Sequence, residues 1–109
     1  MMNVSELNNN ETLLNTFISY EQKFKALADQ LRLKIIYELN QHDKVCVCDL
    51  IELIHLPQSK LSYHLKILLD ANLITRQKIG TWNYYSLNKD EIRGILSKEL
   101  CCIFYPNKN

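Results

Sequence analysis

The spacing of apolar residues changes period along this chain, and that change limits what it can fold into. As far as Ala71, apolar side chains recur every three or four residues, the repeat of amphipathic helices. Beyond it, Ile74 to Ile79 and Trp82 to Leu87 are two short runs of β-branched and aromatic residues, separated by a turn at Gly80, which read as a hairpin. From Asn88 the helical repeat returns, with Ile92, Ile95, Leu96, Leu100 and Ile103 as its stripe. The expected class is mainly α with one small β-hairpin.

Boundary residues sharpen this reading. Residues 1–10 are polar and are expected to form a disordered tail ahead of one folded domain over residues 11–105. A first helix spans Glu11 to Ala28, with Leu13, Phe17, Tyr20, Phe24 and Leu27 in its stripe and Leu14 and Ile18 widening it. Asp29 is placed to cap a second helix that carries Leu31, Ile35, Ile36 and Leu39 on one side. The polar stretch Asn40 to Lys44 separates it from a third helix, about Cys48 to His55, with Val47, Leu50, Ile51 and Ile54 as its apolar set. Pro57 stops that helix, and Ser59 can cap a fourth that reaches Ala71. In the fourth helix Leu61, Leu65, Leu68 and Leu69 face the core, and Lys60, Ser62, Tyr63 and Lys66 face away. Asn88 and Glu91 stand at capping-box spacing for the last helix. Gly94 within it costs about 1 kcal/mol against alanine, which a close helix–helix contact would explain.

A short helix, a tight turn and an amphipathic helix with a polar outer face suggest a helix-turn-helix, and the hairpin behind it supplies a wing. The expected architecture is a winged helix-turn-helix: four helices, a two-stranded wing and a C-terminal helix. The apolar stripes of the first and last helices (Leu13 and Phe17; Ile95, Leu96 and Leu100) exceed what a small monomer can cover, so a two-fold homodimer joined by these helices is expected.

The formal net charge is only +1, but it is unevenly distributed. Between Pro57 and Thr81, Lys60, Lys66, Arg76 and Lys78 stand against Asp70 alone, a segment charge of +3 that leaves −2 for the rest of the 109 residues. One basic segment on an otherwise acidic body suits a phosphate-bearing partner, double-stranded DNA. The N-terminal and outward residues of a recognition helix lie in the major groove. Here those are Gln58, Ser59, Lys60, Ser62, Tyr63, His64 and Lys66, with Arg76 and Lys78 on the wing. Gln58 can pair with adenine and Lys60 can donate to guanine. His64 has two readings, as a DNA contact or as a packing histidine. His42 and His55 read as ordinary surface or partly buried residues.

Four cysteines fall into two close pairs, Cys46 with Cys48 and Cys101 with Cys102. The polar, acidic N-terminus has no basic or apolar leader pattern, and no run approaches the roughly 20 apolar residues of a membrane span, so a cytoplasmic location without membrane contact is expected. There, close cysteine pairs suggest ligands or reactive thiols more than structural disulfides, for which neighbouring cysteines have poor geometry. At a helix start the Cys46 thiol can lie outside helical geometry and fold back toward Cys48, where free N–H groups and the helix dipole favour thiolate. Soft thiolates select arsenite, antimonite, cadmium, lead or zinc. Trivalent arsenic takes three thiolates, so one of Cys101 and Cys102 is a candidate third ligand. Inert packing of these cysteines is the alternative, and Cys101 and Cys102 can also form a second site of their own.

The segments that carry these features resemble a known family. Phe24 to Leu39, then Cys46-Val-Cys-Asp-Leu50, then Gln58-Ser-Lys-Leu-Ser-Tyr-His-Leu-Lys66 and the hairpin Arg76 to Leu87 are similar to the arsenic-repressor (ArsR/SmtB) family over roughly Phe24 to Ile103. The ending Glu99-Leu-Cys-Cys-Ile-Phe104 resembles that of arsenical-resistance operon repressors within it. The resemblance implies a homodimeric repressor of resistance genes that metal or metalloid derepresses. The sequence departs from the zinc-sensing branch, because Lys89 to Ile103 contains no histidine, and from sensors with N-terminal cysteines, because residues 1–45 contain none. A thiol redox sensor of the same fold is the rival reading, and a winged-helix protein-interaction module is another. No enzyme is expected: the chain shows no glycine-rich phosphate loop, no acid pair suited to hydrolysis and no Cys–His nucleophile motif.

Overall fold

The computed structural model describes residues 10–95, and these form one helical body with a small sheet on its side. Helix α1 covers Asn10–Leu27, α2 Gln30–Gln41, α3 Val47–Ile54, α4 Gln58–Asp70 and α5 Lys89–Arg93; the strands are β1 Val45–Cys46, β2 Ile74–Ile79 and β3 Trp82–Leu87. Asn10 belongs to α1, one residue earlier than the periodicity suggested. The stripe positions Leu96, Leu100 and Ile103 of the expected last helix lie outside the described residues, as do Cys101 and Cys102. Among the described residues no helix is long and apolar enough to cross a membrane.

The core is one cluster to which every described helix contributes. Ile35, Ile36 and Leu39 of α2, Leu50 of α3, Leu61, Leu65 and Leu68 of α4, Leu73 and Ile74 at the start of β2, and Ile92 of α5 are all fully buried. Their helical spacing is what the sequence showed, and α2 lies at the centre. Leu31, Val47, Ile51 and Leu69 pack against this cluster half-buried. Helix α1 behaves differently. It buries Ala26 and Leu27 and the stem of Lys23, but leaves Leu14, Phe17, Ile18, Tyr20 and Phe24 between 44% and 59% exposed.

The corner between α1 and α2 is closed by polar side chains. Asp29 caps α2: its Oδ1 accepts the N–H groups of Leu31 at 2.9 Å and Arg32 at 3.1 Å. Arg32 serves the other side of the corner. Its Nε donates to the carbonyl of Ala26 at 2.7 Å and its Nη2 to that of Lys25 at 3.4 Å, two acceptors at the end of α1. Partial burial resists ionisation of Asp29, but the N–H of Arg32, its guanidinium 3.9 Å away and the N–H of Leu31 outweigh that, and hold the carboxyl below its ordinary 3.8.

The wing hairpin belongs to a larger sheet. β2 and β3 pair antiparallel with Ile79 opposite Trp82, so that Gly80 and Thr81 form a two-residue loop. Gly80 supplies the left-handed φ of 63° that such loops require. β1 adds a third strand on the far side of β3, with Val45 opposite Tyr85 and Cys46 opposite Tyr84. The expected two-stranded wing is present as β2–β3, and β1, which the sequence reading did not show as a strand, extends it to a three-stranded sheet. A two-residue strand has no period of its own, and its residues stood next to a stretch read as a polar break.

Three capping expectations also change. The N-cap of α4 is Pro57, without a side-chain cap, and Ser59 lies inside the helix. Asn88 is the N-cap of α5 but forms no capping box. Its amide donates to the carbonyl of Asn72 at 2.9 Å. Glu91 is engaged by Asn72 Nδ2 at 3.3 Å and by Lys23 of α1 at 3.8 Å. Tertiary partners have taken both side chains from the local motif. Gly94 is the C-cap of α5, where an added Cβ would meet only the carbonyls of Asp90 and Glu91 among the described residues, so no close helix contact there explains it.

The Asp29 cap has a measurable consequence. Asp29→Ala should cost about 0.5–2 kcal/mol at pH 7. Because the folded-state pKa is lowered, this stability is fully present above the unfolded value near 3.9 and is lost as pH falls through the folded value. Urea unfolding of both proteins at one concentration should therefore show a gap at pH 7 that narrows below about pH 4. A gap independent of pH would refute the charge-assisted cap.

Candidate nucleic-acid interface and thiol site

Helix α4 presents a buried leucine stripe inward, and its polar face follows from that. Gln58, Ser59, Lys60, Ser62 and Lys66 are exposed, and Tyr63 is 63% exposed. The turn that aims α4 is His55-Leu56-Pro57. His55 is the left-handed C-cap of α3, with φ 62° and ψ 44°, and its N–H returns to the carbonyl of Ile51 at 3.0 Å. It therefore shapes the helix-turn-helix and is more than the ordinary surface residue expected. His42 is the exposed C-cap of α2.

On the wing, Arg76 and Lys78 are exposed, and so are Ile79 and Trp82 at its tip. Between α4 and the wing lies an open groove of about 520 Å³, lined by Ser62, Lys66, Arg76 and Asn83 with Asp70 at its edge. The structure thus brings Ser62 and Lys66 together with Arg76 across one concavity. Lys66 is tied to Asp70 by an exposed ion pair of 3.0 Å. Such exposed pairs are worth about 0–1 kcal/mol, so a phosphate can compete for the lysine. Sequence reasoning missed Asn83, because a lone asparagine in a strand carries no signal until its neighbours are known.

His64 is half-buried at the border between the polar face of α4 and the core. Its Nδ1 lies 3.0 Å from Nη1 of Arg32, and the ring of Tyr63 meets it edge-on at 5.2 Å. Arg32 was the second residue that sequence reasoning missed. It stands at no face-defining position in α2, and only the fold brings it to α4.

The thiols come together at the start of α3. Cys46 is the N-cap, with extended backbone (φ −66°, ψ 147°), and its sulfur accepts the N–H of Cys48 at 3.4 Å. The two sulfurs are in disulfide contact across a Cα–Cα distance of 5.3 Å. Cys46 is outside the helix, so helical spacing does not hold its side chain away, and its thiol folds back toward Cys48 as the sequence suggested. Cys46 is buried and Cys48 exposed. The described residues contain no cluster of three or more metal-ligating side chains, and Cys101 and Cys102 lie outside them. Two soft sulfur donors on one side of a helix start fit a thiophilic ion as part of its ligand set.

This arrangement has counterparts among known proteins. A model of the arsR family of bacterial regulatory proteins matches residues 29–76, which run from the Asp29 cap through both helices of the helix-turn-helix into β2. The chain is 66% identical over 94 residues to the arsenical resistance operon repressor of Bacillus subtilis strain 168, covering 86% of this chain and 90% of that one. The chain belongs to the arsR family. HlyU of Vibrio cholerae has the same fold, with a TM-score of 0.69 at 27% identity over 84% of this chain and 97% of its own. So does the homodimeric winged helix-turn-helix DNA-binding domain of Mb0332 from Mycobacterium bovis, at TM-score 0.70 and 19% identity over 90% and 82% of the two chains. The arsR family fold assigns α3 and α4 to the helix-turn-helix and the β2–β3 hairpin to the wing.

Proposed function

We propose that this arsR-family protein is a cytoplasmic transcriptional repressor that binds double-stranded operator DNA as a homodimer and is released when arsenite or antimonite binds the thiolates of Cys46 and Cys48. The observation that carries the reading is the position of those sulfurs. Cys46 pairs with Tyr84 in the wing sheet and caps α3, and α3 packs on α4. An ion held there pulls on both parts of the DNA-reading surface. The likeness to an arsenical resistance operon repressor supports arsenite or antimonite over cadmium, lead or zinc.

The chemistry is ligand exchange. Each thiol that binds arsenite replaces one hydroxyl, which leaves as water with the thiol proton. Cys48 is open to solvent and is the first ligand; Cys46 closes the pair, and Cys101 or Cys102 is the proposed third. Release of DNA requires that the ion bind the free conformation more tightly than the DNA-bound one, and a coupling of about 1–3 kcal/mol lowers affinity roughly 5–150-fold. The dimer rests on α1: its exposed face of Leu14, Phe17, Ile18 and Phe24 is the kind of apolar surface that a second copy covers.

The sulfur contact favours one second reading, a thiol redox switch. In it the two thiols give up two protons and two electrons to a peroxide, which leaves as two waters, and the disulfide does the work of the ion.

Four measurements test these readings. Cys46→Ser and Cys48→Ser should bind operator normally and fail to release it with arsenite; release of a double variant like that of the parent would move the sensing site elsewhere. Peroxide alone, without metal, should leave operator binding of the parent unchanged, and release by peroxide would favour the redox reading. Lys60→Ala and Arg76→Ala should each weaken binding and lower its salt dependence by about 0.9 in log–log slope, the value of one phosphate contact. Sedimentation should show a dimer at micromolar concentration, and a stable monomer would overturn the assembly.

A further inference from the structure

Arg32 is almost fully enclosed, with its side chain 12% exposed, and its guanidinium is engaged on every side. Nε and Nη2 hold the carbonyls of Ala26 and Lys25, and Nη1 lies 3.9 Å from Asp29 and 3.0 Å from His64 Nδ1. A guanidinium has five N–H donors and no acceptor, so the nitrogen facing it must accept. His64 Nδ1 therefore carries no hydrogen, and the ring keeps its hydrogen on Nε2. An imidazole offers one donor in that state, and Arg32 decides which nitrogen it is.

We propose that Arg32 is a positioning residue for DNA recognition: it fixes His64 of α4 as the Nε2–H tautomer and ties α4 to the corner between α1 and α2. The groups around His64 support this. Tyr63 meets the ring edge-on, Asp29 is near enough to feel it electrostatically and also pairs with Arg32, and Leu65 beside it is buried in the core. Arg32 is thus the polar contact that pins the border of the recognition face, where Leu61, Leu65 and Leu68 pin its underside. It acts through His64 and makes no contact with phosphate itself, because Nε, Nη1 and Nη2 are each already turned to a partner within the protein and the side chain is 12% exposed.

The inference rests on the DNA-binding reading above, and its test separates the two. Two-bond ¹H–¹⁵N spectra of the wild-type protein report which imidazole nitrogen carries hydrogen, without operator and without any variant. His64 should show the Nε2–H form; an Nδ1–H form would overturn the proposal even if DNA binds. Operator affinity is then measured at several salt concentrations for wild type, Arg32→Met, His64→Gln and the double variant. Arg32→Met should bind roughly tenfold more weakly, about 1.4 kcal/mol. Its salt slope should match that of wild type, and its effect should shrink in the His64→Gln background. A salt slope lowered by about 0.9 would make Arg32 a phosphate contact and overturn the positioning role. Equal effects of Arg32→Met in both backgrounds would overturn the route through His64. Failure of wild type to bind any operator would instead defeat the DNA-binding reading and leave the tautomer result standing.

Discussion

Leu61, Leu65 and Leu68 are fully buried, and the rotation of α4 about its own axis follows from that burial. At 100° per residue a helix that commits these three positions to the core has no freedom left in the direction of Lys60, Ser62, Tyr63 and Lys66. The energy scale makes the commitment firm. Truncating one buried leucine to alanine costs about 2–5 kcal/mol, a large part of the 5–15 kcal/mol that holds a small domain together. The polar face of α4 is therefore held by apolar contacts on its reverse side. The same core takes Leu50 from α3 and Ile74 from β2, so recognition helix, supporting helix and wing share one anchor.

Polar groups then fix what apolar burial leaves loose, chiefly the ends of helices. Asp29 and Arg32 satisfy opposite sides of the α1–α2 corner, where backbone donors and acceptors would otherwise face a half-buried space without partners. A second polar group closes the far side of the body. Lys23 of α1, which also donates to Ser19 at 2.9 Å, meets Glu91 of α5, while Asn72 and Asn88 join the α4–β2 corner to α5. Asn72 has a left-handed φ of 62°, which asparagine tolerates better than most residues. These contacts are individually modest, and their effect is to select one arrangement of helices that the core alone would hold less uniquely.

What was legible in the sequence divides along the same line. The periodic signals, in Ile35, Ile36 and Leu39 or Leu61, Leu65 and Leu68, were readable because burial on one face of a helix leaves a repeat in the chain. The hairpin was readable to the residue, from Ile74 to Leu87, because β-branched and aromatic runs flank a glycine. The pairing of β1 with β3, the groove residue Asn83 and the reach of Arg32 to His64 were not. The strand pairing and the Arg32 contact join residues 30 or more positions apart, β1 being also too short to show a period, and Asn83 meets Ser62 and Lys66 only when the wing folds against α4. Asn88 and Glu91 show the opposite error, a correct local pattern whose side chains find better partners in the folded protein. The meeting of Cys46 with Cys48 was legible because it is local: it needs only the backbone of the first to leave helical geometry.

Cys46 ends a strand and caps a helix in a single residue, and that leaves no linker between the proposed ion site and the proposed DNA-reading parts. A lever with no slack transmits small displacements, so the sensing chemistry has little need of a large conformational change. It also separates two kinds of variation. The donor atoms at this junction can change, and with them the ion that is detected, while the leucine stripe and the polar face of α4 stay as they are. Under the proposed function, one scaffold can in this way be retuned to another soft ion without relearning its operator.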